Sequence, residues 1–203
     1  FFNRFQIPVS QAYGIIEIGL PIINLIKSDI SPDAIGYAVP GYEVEILDDN
    51  FIPLINGETG HLAIRGPGML DAYLFPPRNL DEILDHGWFM TGDLASKSED
   101  GLIKVEGRRK SMINVAGNKV FPEEVEAVLN QHPAIKQSRV SGYQHPLTGE
   151  GVQAELLIHP GTENPDVESL RNFCRQKLSP HKVPQKFLFV KELPMTDSGK
   201  LMR

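Results

Sequence analysis

The sequence predicts an α+β chain in two parts: a β-rich subdomain, folded as a distorted barrel, over residues 1–109, and a small α+β domain over 110–203. Three observations predict this. Between Gly36 and Leu102, short apolar runs alternate with Gly-, Pro- and Asp-rich turns at the spacing of an irregular barrel or sandwich. After Gly117 the texture becomes two helical patterns interleaved with strands, the pattern of a compact α+β unit. Between the two parts lies Glu106 to Glu126, a run of three cations, a short apolar stretch, a glycine and an acid-capped helix.

In chain order, residues 1–12 read as a helix end leading to a short strand, Ile7 to Ser10, ahead of Tyr13-Gly14-Ile15-Ile16-Glu17. Val44 to Leu47 is a strand and Asp48-Asp49-Asn50 its turn; Gly57 to Gly60 is a second turn. The strand His61 to Arg65 and the turn Gly66-Pro67-Gly68 follow. Asp85 to Leu94 holds a turn, an aromatic strand and a second turn ending in Asp93. Pro122 opens a helix over 122–131, because its missing N–H costs nothing in the first turn. Glu123 and Glu124 stand where the helix dipole favours carboxylates. Val125, Val128 and Leu129 keep helical spacing, and His132-Pro133 ends it. A strand Ile135 to Val140, a loop with His145 to Glu150, and an alternating strand Val152 to Ile158 come next. A helix over 166–178, a Pro-rich connector Ser179 to Pro184 and a strand Lys186 to Val190 complete the pattern.

Composition excludes several classes. With 41% apolar residues and 23% charged, the 203-residue chain is globular rather than disordered. A net charge of -6 argues against nucleic-acid binding, and Arg108-Arg109-Lys110 is too short for a basic targeting tract. The single cysteine, Cys174, allows no internal disulfide, which fits a reducing, cytoplasmic compartment; on the apolar face of its helix it reads as a small core residue. No transmembrane segment is expected, since the longest apolar candidate, Ile15 to Ile26, is broken by Glu17, Pro21 and Asn24. Phe1 to Phe5 has no signal-peptide pattern and no initiator Met, so a piece of a longer chain is expected.

Three residues carry candidate chemistry, each with a plainer alternative. Asp93, in a Thr-Gly-Asp turn, could accept two hydrogen bonds from a vicinal diol such as a ribose; Asp in a turn is also ordinary turn chemistry. Glu17 offers hard oxygen suited to Mg²⁺, or is a solvated surface charge. Lys200, near the end of the chain, is a functional cation or a solvated terminal lysine.

Their order and spacing join them. Tyr13-Gly14-Ile15-Ile16-Glu17 resembles a Tyr-Gly-x-Thr-Glu motif, and Gly60 to Gly66 resembles Gly-Glu-Leu-x-Ile-Arg-Gly. Trp88 to Leu94 carries Thr-Gly-Asp, Gly107 to Lys110 is similar to a hinge motif, and Pro194 to Lys200 is similar to a Pro-x-Thr-x-x-Gly-Lys loop. On these five motifs the chain resembles the adenylate-forming superfamily: acyl-CoA synthetases, peptide-synthetase adenylation domains and luciferases. Asn118 to Glu126 is most similar to the acyl-CoA synthetase version.

The resemblance implies an ATP-dependent ligase that joins a carboxylic acid to AMP and then passes the acyl group to a thiol, either CoA or the phosphopantetheine of an acyl or peptidyl carrier protein. It implies that residues 1–109 are the C-terminal part of the large AMP-binding domain and 110–203 a mobile lid. By the same resemblance Tyr13 lines the adenine site, Asp93 binds the ribose hydroxyls and Arg108 lies nearby. Glu17 holds Mg²⁺, Lys110 is the hinge, Gly117 borders the thiol tunnel, and Lys200 bridges carboxylate and phosphate oxygens as the catalytic cation.

Four departures qualify the match. Ile16 replaces a phosphate-contacting Thr, Ala72 stands where Gly is common, and His145 stands where Asp is common before Pro. The family's phosphate-binding loop and most of its acyl pocket lie upstream of the matched motifs, so the chain alone is expected to be inactive. A non-enzymatic module binding a nucleotide or partner is the alternative from a different class.

Overall fold

The computed structural model describes residues 2–7, 9–24, 34–197 and 201–202. They form two compact units, Phe1–Arg109 and Lys110–Arg203. The first unit opens with α1 (Phe2–Phe5), β1 (Ala12–Ile15) and β2 (Gly19–Ile23), followed by β3 (Ala34–Ala38), β4 (Glu43–Leu47) and β5 (Gly60–Arg65). A short hairpin, β6 (Ala72–Leu74) and β7 (Pro77–Asn79), leads into α2 (Leu80–Ile83), and β8 (Phe89–Lys97) and β9 (Ile103–Arg108) complete the unit. The early strand expected at Ile7 to Ser10 is not formed at its described residues; β1 begins instead at Ala12, where Tyr13 and Ile15 can pair with β2.

Seven strands make one antiparallel sheet in the order β1-β2-β3-β9-β8-β5-β4. The expected barrel is not closed: β1 and β4 are the two ends of the sheet, and among the described residues they do not pair. Closure requires a constant stagger around the ring. Here the register breaks between β1 and β2, β3 and β9, β5 and β8, and β8 and β9, so the sheet bends locally instead. Its core is Ile18, Ile22, Val44, Ile46, Leu62, Ile64, Phe89, Ala95 and Ile103. Each of the large side chains fully removed from water stabilises the unit by about 1.5–3 kcal/mol.

The break between β5 and β8 matters most. Pairing passes from Ala63↔Met90 to His61↔Leu94, so Thr91, Gly92 and Asp93 stand opposite Leu62 alone. Thr-Gly-Asp is therefore a bulge within one continuous strand, not the turn that the sequence suggests. Gly92, at φ +77°, supplies the left-handed residue the bulge needs.

The second unit begins with the hairpin β10 (Ile113–Val115) and β11 (Asn118–Val120), then α3 (Pro122–Leu129). A long hairpin, β12 (Ile135–His145) and β13 (Gly149–Ile158), precedes α4 (Val167–Arg175) and β14 (Lys186–Val190). The sheet order is β11-β10-β13-β12, and β14 adds in parallel to β13. Val125 and Leu129 of α3 and Leu170 and Cys174 of α4 join the core formed with Val140, Val152, Ala154 and Leu156. The buried Glu126 carboxylate ties α3 to β12 by accepting the Val140 N–H at 2.8 Å. The Asp166 side chain caps α4 through the Ser169 N–H at 3.0 Å. Both helices are shorter than their apolar periodicity suggests, because their last turns tighten to i→i−3 bonds, Gln131 N–H on the Val128 carbonyl and Lys177 N–H on the Cys174 carbonyl. β12 is longer than expected, since Ser141 to Gln144 carry no apolar alternation yet pair in register with β13.

Candidate functional site

Asp93 is the centre of the polar constellation in the first unit. Its side chain is buried, with 5% exposed, and both oxygens are engaged. Tyr13, from β1, donates its hydroxyl to Oδ2 at 2.5 Å. Arg108, directly opposite Asp93 in the β8–β9 ladder, places Nε 2.7 Å from Oδ1. The Asp93 N–H donates to the Thr91 hydroxyl oxygen at 3.1 Å, and that hydroxyl donates to the Leu62 carbonyl at 3.0 Å, closing the bulge on itself. The arrangement explains the Tyr13 phenol. Burial, then the hydrogen bond to the Asp93 carboxylate and its charge, push its pKa far above the ordinary range.

Glu17 lies in the β1–β2 turn, held at both ends. Its carbonyl accepts the Leu70 N–H at 2.8 Å, and its carboxylate Oε1 accepts the Tyr73 hydroxyl at 2.8 Å. That hydrogen bond raises the Tyr73 phenol pKa. Among the described residues no group of three or more His, Cys, Asp or Glu is arranged to hold a metal. A Mg²⁺ at Glu17 would fit only as a cation that keeps waters and draws other ligands from phosphates, which suits that ion's preference. Ile16, next to it, is 99% exposed, so the side chain standing where a hydroxyl is expected presents bare hydrocarbon.

In the second unit Gly117 occupies the two-residue loop between β10 and β11, where Ala116 and Gly117 are both left-handed, at φ +49° and +86°. Nothing lies within 4 Å of where a Gly117 Cβ would be, so backbone conformation rather than crowding selects glycine. Lys110 is exposed in a short 3-10 turn, Arg109–Ser111. Lys200 lies outside the described residues.

Residues 1–74 match the AMP-binding enzyme family, and residues 124–200 match the AMP-binding enzyme C-terminal domain. The chain belongs to the AMP-binding enzyme superfamily. Among its relatives is the long-chain-fatty-acid–CoA ligase of Escherichia coli O157:H7, 35% identical over 95% of this chain and 34% of the relative. Another is the 2-succinylbenzoate–CoA ligase of Geobacillus kaustophilus, 36% identical over 97% of this chain and 40% of the relative. The o-succinylbenzoate coenzyme A synthetase of Bacillus subtilis in complex with AMP superimposes with a TM-score of 0.86 at 28% identity, covering 100% of this chain and 41% of that one. ATP-bound MatB from Rhodopseudomonas palustris gives 0.81 at 30% identity, over 95% and 39%. The chain thus spans about a third to two-fifths of the length of the relatives it matches.

Within this AMP-binding fold, Tyr13, Asp93 and Arg108 come together in one cluster. One further cluster in the same unit has no counterpart in the sequence reasoning, which assigns no role to Arg109. Asp49 Oδ1 faces His61 Nε2 at 3.0 Å and an Arg109 guanidinium nitrogen at 3.1 Å. The three line a cavity of about 90 Å³ with Asp48, Phe51 and Gly92. His61 stands where the motif carries Glu, and that substitution was the one signal that could have pointed here.

Proposed function

We propose that this chain is the carboxy-terminal portion of an ATP-dependent acid–thiol ligase, which forms an acyl-adenylate and transfers the acyl group to CoA. The observation that carries the reading is Asp93, a buried carboxylate flanked by a tyrosine and an arginine on a bulge. A carboxylate fixed in this way can exchange the Tyr13 hydroxyl for the two hydroxyls of a ribose, while the freed phenol ring offers a flat apolar face to adenine. Arg108 keeps the carboxylate oriented as its other partners change. Glu17 would hold Mg²⁺, which when bound neutralises phosphate charge; Tyr73 sets the direction of the Glu17 carboxylate.

The remaining roles rest on the motifs. Residues 1–109 are the end of the AMP-binding domain and 110–203 its mobile C-terminal domain, with Lys110 at the pivot. Lys200 stabilises charge during adenylation, and Gly117 borders the path of the thiol. Substrates are a small-molecule carboxylic acid, ATP and CoA; loading of a carrier protein is the nearest variant of the same chemistry. Place of action is the cytoplasm, in keeping with a single buried cysteine; among the described residues no helix is long and apolar enough to cross a membrane.

The test is acid-dependent pyrophosphate exchange, followed by thioester formation with CoA or with holo carrier protein. A relative-length protein carrying this chain should show both, and Asp93→Ala should abolish exchange. The 203-residue chain by itself should show neither. Ile16 favours one rival, a nucleotide-binding module without catalysis, because a fully exposed isoleucine cannot donate to phosphate. AMP binding by the relative-length protein without any pyrophosphate exchange would establish that rival.

A further inference from the structure

The β10–β11 loop is fastened to a second loop whose own geometry depends on a histidine. The Ala116 N–H, at the left-handed corner beside Gly117, donates to the Thr148 carbonyl at 3.0 Å. Val115 pairs with Gly149, and the Asn114 N–H donates to the Glu150 carboxylate at 2.6 Å. Within β10–β11 itself, the Asn114 side-chain oxygen accepts the Gly117 N–H at 2.8 Å. The 145–149 turn is therefore the outer support of the Ala116–Gly117 loop.

That turn is held from inside by His145. Its Nδ1 lies 3.3 Å from the Thr148 N and 3.4 Å from the Leu147 N. The Thr148 hydroxyl lies 2.8 Å from Nδ1 and 2.7 Å from the Glu150 carbonyl oxygen; with Nδ1 accepting, its single proton serves one of these two acceptors at a time. Pro146 between them has no N–H to satisfy and a fixed φ. A side-chain acceptor that reaches the N–H groups two and three residues on is the device by which Asp and Asn fix turns. Here an imidazole nitrogen fills that position. The ring is itself placed by Tyr143, whose centroid lies 5.9 Å away in an edge-on arrangement, and Lys186 sits over the Tyr143 face at 3.6 Å.

We infer that His145 is a positioning residue for the Ala116–Gly117 loop, acting through Thr148: the imidazole fixes the turn, the turn aims the Thr148 carbonyl, and that carbonyl fixes the Ala116 amide. Its meaning for catalysis rests on the reading of Gly117 as the border of the thiol path; the clamp itself does not.

Amide hydrogen exchange on the 203-residue chain tests the clamp. In His145→Ala the Ala116 amide should exchange roughly ten-fold faster, while the Val140 and Ala154 amides in the centre of the β12–β13 hairpin keep their rates. Thr148→Val, which keeps the histidine but removes the hydroxyl beside Nδ1, should move Ala116 in the same direction. His145→Asp should restore slow exchange, because its carboxylate can accept the same N–H groups. An unchanged Ala116 rate in both His145→Ala and Thr148→Val overturns the inference, as does an equal rise at Ala116, Val140 and Ala154. Because no thiol takes part in this measurement, its failure is separate from failure of the thiol-path reading. That reading is tested in the relative-length protein, where His145→Ala should raise the KM for CoA several-fold and leave pyrophosphate exchange unchanged.

Discussion

The Tyr13 hydroxyl donates to Asp93 Oδ2 at 2.5 Å across 80 residues of chain, joining the first strand of the sheet to its central bulge. Hydrogen bonds to charged groups are worth about 1.5–3 kcal/mol, and this one is partly buried. Tyr13→Phe should therefore destabilise the first unit by roughly 1–2 kcal/mol, read as a shift in urea midpoint with unchanged m-value.

The same contact has a pH signature. The folded-state phenol pKa is raised above its ordinary value of 10.0, so the folded chain holds this proton where the unfolded chain has released it. The stabilisation is complete below pH 10.0 and is lost as pH rises towards the folded value. In an alkaline absorbance titration Tyr13 should ionise well above pH 10.0, and Tyr13→Phe should remove one tyrosine equivalent from that late change. A titration in which all tyrosines ionise together near pH 10.0 contradicts the geometry.

Thr91 locks the bulge from both sides, accepting from Asp93 and donating to Leu62. Thr91→Val keeps the shape but strands two backbone groups, so a loss of about 1–3 kcal/mol is expected. Nucleotide affinity of a relative-length protein should fall with it, measured by calorimetry with AMP. Wild-type affinity in Thr91→Val would show that the lock does not aim Asp93.

In the second unit, Glu126 accepts the buried Val140 N–H. Glu126→Ala leaves that donor without its carboxylate and opens a gap between α3 and β12. The expected cost is about 2–4 kcal/mol, seen as a lower unfolding midpoint of the second unit.

Cys174 has no exposed surface, and burial pushes its thiol up to about 11 from 9.0. The native chain at pH 8 should resist a thiol reagent, and reaction should begin only with unfolding. The linkage sign follows: the folded state keeps the proton, so stability falls as pH rises between 9.0 and about 11. Rapid labelling at pH 8 without denaturant would count against the buried placement.

Lys200→Ala in a relative-length protein should impair adenylation far more than thioester formation from supplied acyl-adenylate. A cation about 4 Å from an anion at an effective dielectric near 20 contributes on the order of 4 kcal/mol. That corresponds to roughly a thousandfold in rate. Equal losses in the two half-reactions would remove Lys200 from its assigned role.

The strand Lys186 to Val190 and the helix opened by Pro122 were legible because each depends on local pattern. The Thr-Gly-Asp motif was legible as a local feature but misread as a turn, since a glycine at positive φ serves a turn and a bulge equally well and only the partner strand distinguishes them. The open sheet was hidden for a related reason. Strand spacing records how many strands there are, whereas closure depends on register, and register is broken at four pairings here. Arg109 could not be assigned because its partner Asp49 lies 60 residues away, in a turn whose own hydrogen bonds are accepted by the neighbouring Asp48. His145 looked like a simple loss of Asp; only the distances to Leu147 and Thr148 show an imidazole performing the same local service.

The bulge in β8 holds two residues more than a regular ladder would, since Leu94 faces His61 where residue 92 otherwise would. Pairing with β5 resumes directly beyond it, Leu94 with His61 and Ala95 with Gly60, and both residues are buried. Other breaks in the same sheet insert single residues, Ile35 against β9 and Glu106 against β8, and there too the flanking Ala34, Ala95 and Ile103 stay buried. A sheet that absorbs insertions of either size beside its core can lengthen or shorten the Thr-Gly-Asp segment while the strands that carry it keep their partners.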